Sequence, residues 1–191
     1  MAEDSIIVVS GLPRSGTSLM MQMLQSGGIK LLTDNTRAAD ENNPRGYWEY
    51  GAVKNLPNEN SFLEKAQGKA VKVISHLLPY LPSGYIYHIL FMRRNLDEII
   101  LSQNKMLKSL KAKTDGEKPE DIKTALLRHL QTVHFWLQDQ KNIRFLYIDH
   151  HSIITGPEAE AKRIAAFLHR DLNIPAMAAA IDPSLYRAIS R

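Results

Sequence analysis

The chain has 191 residues, 44% hydrophobic and 23% charged, with a formal net charge of +4; that length suits one domain, residues 1–191, able to bury roughly 70% of its unfolded surface. It contains no cysteine, which excludes disulfides, thiolate zinc sites and cysteine nucleophiles and fits a reducing compartment. No run approaches the ~20 apolar residues of a membrane span and the first residues lack the pattern of a secretory leader, so a cytoplasmic protein is expected, whose mild positive charge suits small anionic ligands rather than nucleic acid.

Residues 5–10 are rich in β-branched side chains and read as a buried strand. Residues 17–26 read as a helix stopped by Gly27-Gly28, and 29–32 as a short second strand. The polar stretch 34–46, broken by Asn42-Asn43-Pro44 and Gly46, is a loop, with a weak helix somewhere between Glu49 and Ala66. Strands follow at 70–74 and 86–92. Asn95 then caps a helix to about Lys111, with Glu98 placed for a capping box. After a loop at 112–118, Pro119 opens a long helix with Ile122, Leu126, Leu130, Val133 and Leu137 on one face. A strand at 144–148, a helix at 157–169 and a short helical piece before Asp182-Pro183 complete the chain. Strands alternating with helices imply an α/β domain of three layers, α/β/α, with a mainly parallel sheet of about five strands.

The most informative stretch is Gly11-Leu-Pro-Arg-Ser-Gly-Thr-Ser18, between a predicted strand and a predicted helix. In that context, backbone N–H groups at the helix N-terminus point at an anion, and the helix dipole adds about 0.3–1 kcal/mol. The spacing is that of the nucleotide-triphosphatase loop G-x-x-x-x-G-K-[ST], with one change. Thr17 stands at the lysine position, Ser18 keeps the hydroxyl, and the positive charge has moved back to Arg14. Without that lysine, ordinary ATP or GTP chemistry is disfavoured. The bland alternative is a tight turn with no ligand.

A second cluster follows the strand at 86–92. Arg93-Arg94 lies at its C-terminal end, and Ser102 comes eight residues past Arg94. An arginine there sits on the ligand-binding edge of an open α/β sheet, with a guanidinium fork suited to a terminal phosphate. Read alone, the two arginines could equally solvate a loop. The lysines at 105, 108, 111 and 113 read as a solvated helix end and loop.

Taken together, the two motifs resemble the sulfotransferases. Pro13-Arg-Ser-Gly-Thr-Ser18 resembles their 5′-phosphosulfate loop, and Arg94–Ser102 their 3′-phosphate site. Asn43-Pro-Arg-Gly-Tyr-Trp-Glu49 and Asp182-Pro-Ser-Leu-Tyr-Arg187 also look like segments of bacterial sulfotransferase-like proteins. The resemblance implies 3′-phosphoadenosine 5′-phosphosulfate (PAPS) as donor and 3′,5′-bisphosphoadenosine (PAP) as product, with no metal. Arg14, Ser15, Gly16, Thr17 and Ser18 would hold the 5′ end, and Arg94 and Ser102 the 3′-phosphate. The C-terminal donor-binding segment of the cytosolic members is missing, and Tyr186 and Arg187 are the candidates to replace part of it.

Sulfuryl transfer depends on positioning and electrostatics. Arg14 is the expected stabiliser of the leaving oxygen, with Lys72 as an alternative. A base must take the acceptor's proton. His76, in Ser75-His-Leu-Leu-Pro79, looks like the histidine of the Lys-Thr-His-Leu-Pro segment of cytosolic members, although Lys72 stands four residues before it and not two. Glu49 ranks equal with it, ahead of Glu41 and Asp34. His150-His151, His129 and His134 are expected at the surface. Tyr47 and Trp48 are candidates to stack on a ring, and Trp136 to pack in the core. The expected partner is a small-molecule acceptor offering a hydroxyl or amine. A small nucleotide or metabolite kinase and a non-catalytic nucleotide-binding module are the rival readings.

Overall fold

The structure, a computed structural model, describes residues 4–34, 46–109 and 119–182, with the backbone alone at 108 and 109. The expected loops at 34–46 and 112–118 fall largely outside these residues, as do Glu41, Lys111, Lys113, Tyr186 and Arg187. A β-branched run with every residue buried makes strand β1 (Ile6–Gly11) the centre of the sheet. It lies between β2 (Ala70–Lys72) and β3 (Tyr87–Arg93), and β4 (Ile143–Asp149) pairs with β3, so the order is β2-β1-β3-β4 with all pairs parallel.

Successive residues of the strands point to opposite faces. Ile6, Val8, Val71, Ile89 and Phe91 pack on one side with Val53, Leu56, Leu63, Leu78, Val133 and Leu137. Ile7, Val9, Leu90, Met92 and Ile148 pack on the other with Met20, Met21, Leu24, Ile164, Leu168 and Met177. The first layer is built by helices α2 (Leu63–Ala66) and α4 (Pro119–Asp139), and the second by α1 (Thr17–Ser26), α6 (Pro157–Leu168) and α7 (Ile174–Ala179). Each fully buried aliphatic side chain contributes about 1.5–3 kcal/mol relative to exposure. Helix α3 (Leu96–Ser109) follows β3, and α5 (His150–Thr155) follows β4 directly.

Several details depart from the sequence-based expectations. The sheet has four strands, not about five, among the described residues. Residues 29–32 reach the sheet through a single bridge, Leu31 to Ala70. Beyond it, Thr33 Oγ1 donates to the carbonyl of Glu49 at 2.8 Å and Gly51 N donates to Asp34 Oδ2 at 2.5 Å, which draws the chain off the sheet. The weak helix expected between 49 and 66 is a 3-10 turn, Gly51–Asn55, and the single turn of α2. Pro57, with no N–H to donate, separates them. Asn95 caps α3 as expected, its Oδ1 accepting from Asp97 N at 2.8 Å and Glu98 N at 3.4 Å. The carboxylate of Glu98 turns instead to Arg94.

Candidate functional site

In this strand order the chain leaves β1 toward one side and β3 toward the other. That creates a crevice between β1 and β3 at the C-terminal edge, where open α/β sheets bind ligands. The register sets Gly11 beside Met92 there, with Val9 beside Lys72 on the other flank. Both candidate motifs therefore open onto one edge.

The loop after β1 is shaped by two glycines at which any side chain would be strained and crowded. Gly11 has φ 143°, and a Cβ there would lie 2.5 Å from Ser15 Oγ and 2.7 Å from the carbonyl of Met92. Gly16 has φ 101°, and its Cβ would lie 2.5 Å from Cδ2 of His150. Gly16 is also the N-cap of α1, with no side-chain cap and no acidic residue in the first turn. The positive end of the helix dipole therefore meets no carboxylate of its own helix. Ser15 Oγ is buried and has no hydrogen-bond partner among the described residues, a state that costs free energy until an acceptor or donor arrives.

Three cations converge on this loop. Lys72 is only 8% exposed; its Nζ donates to Ser18 Oγ at 3.0 Å and to the carbonyl of Tyr47. Arg14, itself at φ 73°, donates from Nε to Ser102 Oγ at 3.0 Å. Arg94 donates from Nε to Glu98 at 2.8 Å and from a terminal nitrogen to the carbonyl of Arg14 at 3.2 Å. The loop after β1 and the α3 cluster are thus hydrogen-bonded to one another. The neighbouring Arg93 turns away, pairing with Asp149 at 3.0 Å and lying over the ring of Tyr147.

A cavity of about 440 Å³ opens here. Arg14, Gly16, Thr17, Ser18, Lys72 and Arg94 form its polar end, with Glu49 beside them. Tyr50, Val53, Ile74 and Leu77 form an apolar wall, and Lys54 also lines the space. Ser102 joins the site through its bond from Arg14. Of the candidate bases, Glu49 lines the cavity; His76 is not among the lining residues. The His76 ring is exposed and stacks on His129, centroids 3.7 Å apart, while His129 Nε2 meets Ser75 Oγ at 2.8 Å. Asp34 is occupied in holding Gly51. Trp48, in the left-handed region at φ 54°, packs against the core beside α1.

The sequence understated two residues. His150, expected at the surface, is buried against Gly16, and burial, with Arg94 nearby, pulls its pKa down to about 4. It is therefore a neutral imidazole beneath the loop after β1 at pH 7. Lys72, the alternative to Arg14 for the leaving oxygen, is buried although a lysine on a strand is usually solvated. Its position in a sheet strand, directly between Val71 and Val73, was the available signal. Among the described residues no cluster of three His, Asp or Glu side chains could hold a metal ion, and no helix is long and apolar enough to cross a membrane.

No family model matches the sequence, and no curated protein matches it. Solved structures do match. The sulfotransferase domain from the Synechococcus PCC 7002 olefin synthase aligns with TM-score 0.60 at 14% identity, over 98% of this chain and 88% of its own. The sulfotransferase domain from the curacin biosynthetic pathway aligns with TM-score 0.57 at 14% identity, over 95% and 88%. The chain therefore has the α/β fold of the sulfotransferases, a parallel sheet flanked by helices.

Proposed function

We propose that this chain, folded as the sulfotransferases are, transfers a sulfuryl group from PAPS to a hydroxyl or amine of a small acceptor. One observation carries the reading: the uncapped, cation-lined loop after β1 and the Arg94–Ser102 cluster after β3 are joined through Arg14 into a single site. A donor with an anion at each end of one adenosine fits two such pockets on one edge. The buried, unpartnered Ser15 hydroxyl and the bare N-terminus of α1 suit a 5′-phosphosulfate.

Transfer forms a bond from the acceptor atom to sulfur and breaks the bond from sulfur to the 5′-phosphate oxygen, whose electron pair stays on PAP. Lys72, delivered from β2, supplies beside Ser18 the positive charge that Thr17 does not, and that charge supports it as the group that stabilises the leaving oxygen. Arg14 contributes to the same end of the site while tying it to Ser102. Glu49 takes the acceptor's proton, since it lines the cavity that the acceptor would enter. His76 is a weaker choice because its ring lies against His129. A kinase would need its cation on the loop lysine, which is Thr17 here.

Incubation with PAPS labelled in its sulfate, across a panel of alcohols, phenols and amines, tests the reading. Label should move to at least one acceptor with PAP released in equal amount. PAP-induced stabilisation with label retained on the donor throughout would favour a non-catalytic module.

A further inference from the structure

The cavity is chemically divided, and the division names an acceptor class; this inference rests on the sulfuryl-transfer reading. Arg94 and α3 lie on the β3 side of β1, so a 3′-phosphate held there places the nucleoside on that side. The opposite flank, beyond β2, carries Ile74 and Leu77, and the 3-10 turn Gly51–Asn55 brings Val53 and Lys54, with Tyr50 just before it. An acceptor must approach sulfur in line, opposite the leaving oxygen, and so from this flank.

The wall there is apolar. Val53 is buried, Tyr50 and Leu77 are half-buried, and Ile74 is 37% exposed although it faces the cavity. The lining hydroxyls are the Tyr47 and Tyr50 phenols and, in the loop after β1, Thr17 and Ser18, too few on this flank to match a sugar's ring of hydroxyls. Lys54 stands next to Val53. Arg14, Lys72 and Arg94 are each hydrogen-bonded within the protein, but the Lys54 ammonium has no hydrogen-bond or ion-pair partner among the described residues. Among the described residues it is the lining cation that the donor site does not use.

We infer that the acceptor is an amphiphile: a hydroxyl group on an apolar body that bears an anionic group at its far end, with the body on Tyr50, Val53, Ile74 and Leu77 and the anion on Lys54. Glu49 at the polar end and Lys54 at the rim then orient the molecule, hydroxyl inward. An exposed ammonium discriminates an anion from its neutral match by about fivefold, and each methylene buried on the wall adds up to about fourfold.

The test uses equilibrium binding of 8-hydroxyoctanoate, its methyl ester and gluconate to the full chain, each with and without PAP. The acid should bind about fivefold tighter than the ester, and gluconate, charged but without an apolar body, weakest. Lys54→Met should erase the difference between acid and ester, and Lys54→Arg should keep it. Equal binding of acid and ester, tighter binding of gluconate, or no binding of any probe would overturn the inference. The PAP titration reports separately on the donor site, so failure there is distinguishable from failure here.

Discussion

A lysine held at 8% exposure between two valines keeps its charge only where polar partners offset the lost hydration. Ser18 Oγ and the Tyr47 carbonyl are among its partners, and both belong to the candidate site. Lys72→Met should therefore lower kcat/KM about 10- to 150-fold, the equivalent of a charge-assisted contact, while circular dichroism stays unchanged. Glu49→Gln should lower kcat about 10²–10⁴-fold with PAP affinity intact; steady-state kinetics beside a PAP titration separates the two. A kcat that stays normal in Glu49→Gln and falls in His76→Gln would move the base to the histidine. His150 makes a different prediction. Its pKa in the folded chain is depressed to about 4 from the ordinary 6.5, mainly by burial. The stability it contributes is thus complete above pH 6.5 and is lost as pH falls toward 4, by up to about 3 kcal/mol. Denaturation midpoints between pH 7 and 4 should fall less steeply in His150→Gln than in the wild type. Nothing in the local sequence distinguished His150 from His151, because the burial of one comes from Gly16, far away in the chain.

At the scale of elements, the strand–loop–helix unit of residues 6–26 was legible almost to the residue, because glycines, β-branched runs and helical periodicity are local signals. Gly16 and Gly28 provide a matched comparison. Both have φ near 100°, yet a Cβ on Gly28 meets nothing within 4 Å whereas one on Gly16 meets His150. Gly28→Ala should cost only the backbone term, about 1–2 kcal/mol, and Gly16→Ala clearly more in urea denaturation, with weakened PAP binding. Equal costs would show that the loop does not rest on His150. The elements that misled are short: residues 29–32 and the segment 49–66 have strand or helix composition, but hydrogen bonds from Thr33 to the Glu49 carbonyl and from Gly51 N to the Asp34 carboxylate decide their course. Such contacts between distant residues leave no periodic trace. The helix at 150–155 went unnoticed for a similar reason, since its β-branched residues blur into the end of β4.

For the molecule as a whole, alternation of strands and helices disclosed the α/β architecture, and the motif order placed both candidate motifs on one edge. The strand order β2-β1-β3-β4, with its crevice between β1 and β3, was not readable from the chain. Nor was the hydrogen bonding that carries Arg94 to the loop carbonyl and Arg14 to Ser102. That joining is what the proposed donor site rests on. Arg94→Ala should accordingly reduce PAP affinity by about 10- to 150-fold and leave 5′-AMP, which lacks the 3′-phosphate, nearly unaffected in calorimetric titration. The most direct measurement is thermal unfolding of the wild type with PAP, with 5′-AMP and with MgATP at equal concentration. At ~100 times its dissociation constant a ligand adds about 2.7 kcal/mol, which corresponds to a rise in Tm of about 5–10 °C for a chain of this size. The account predicts that rise with PAP and a much smaller one with either of the others. A shift with MgATP as large as that with PAP, or no difference between PAP and 5′-AMP, would contradict it.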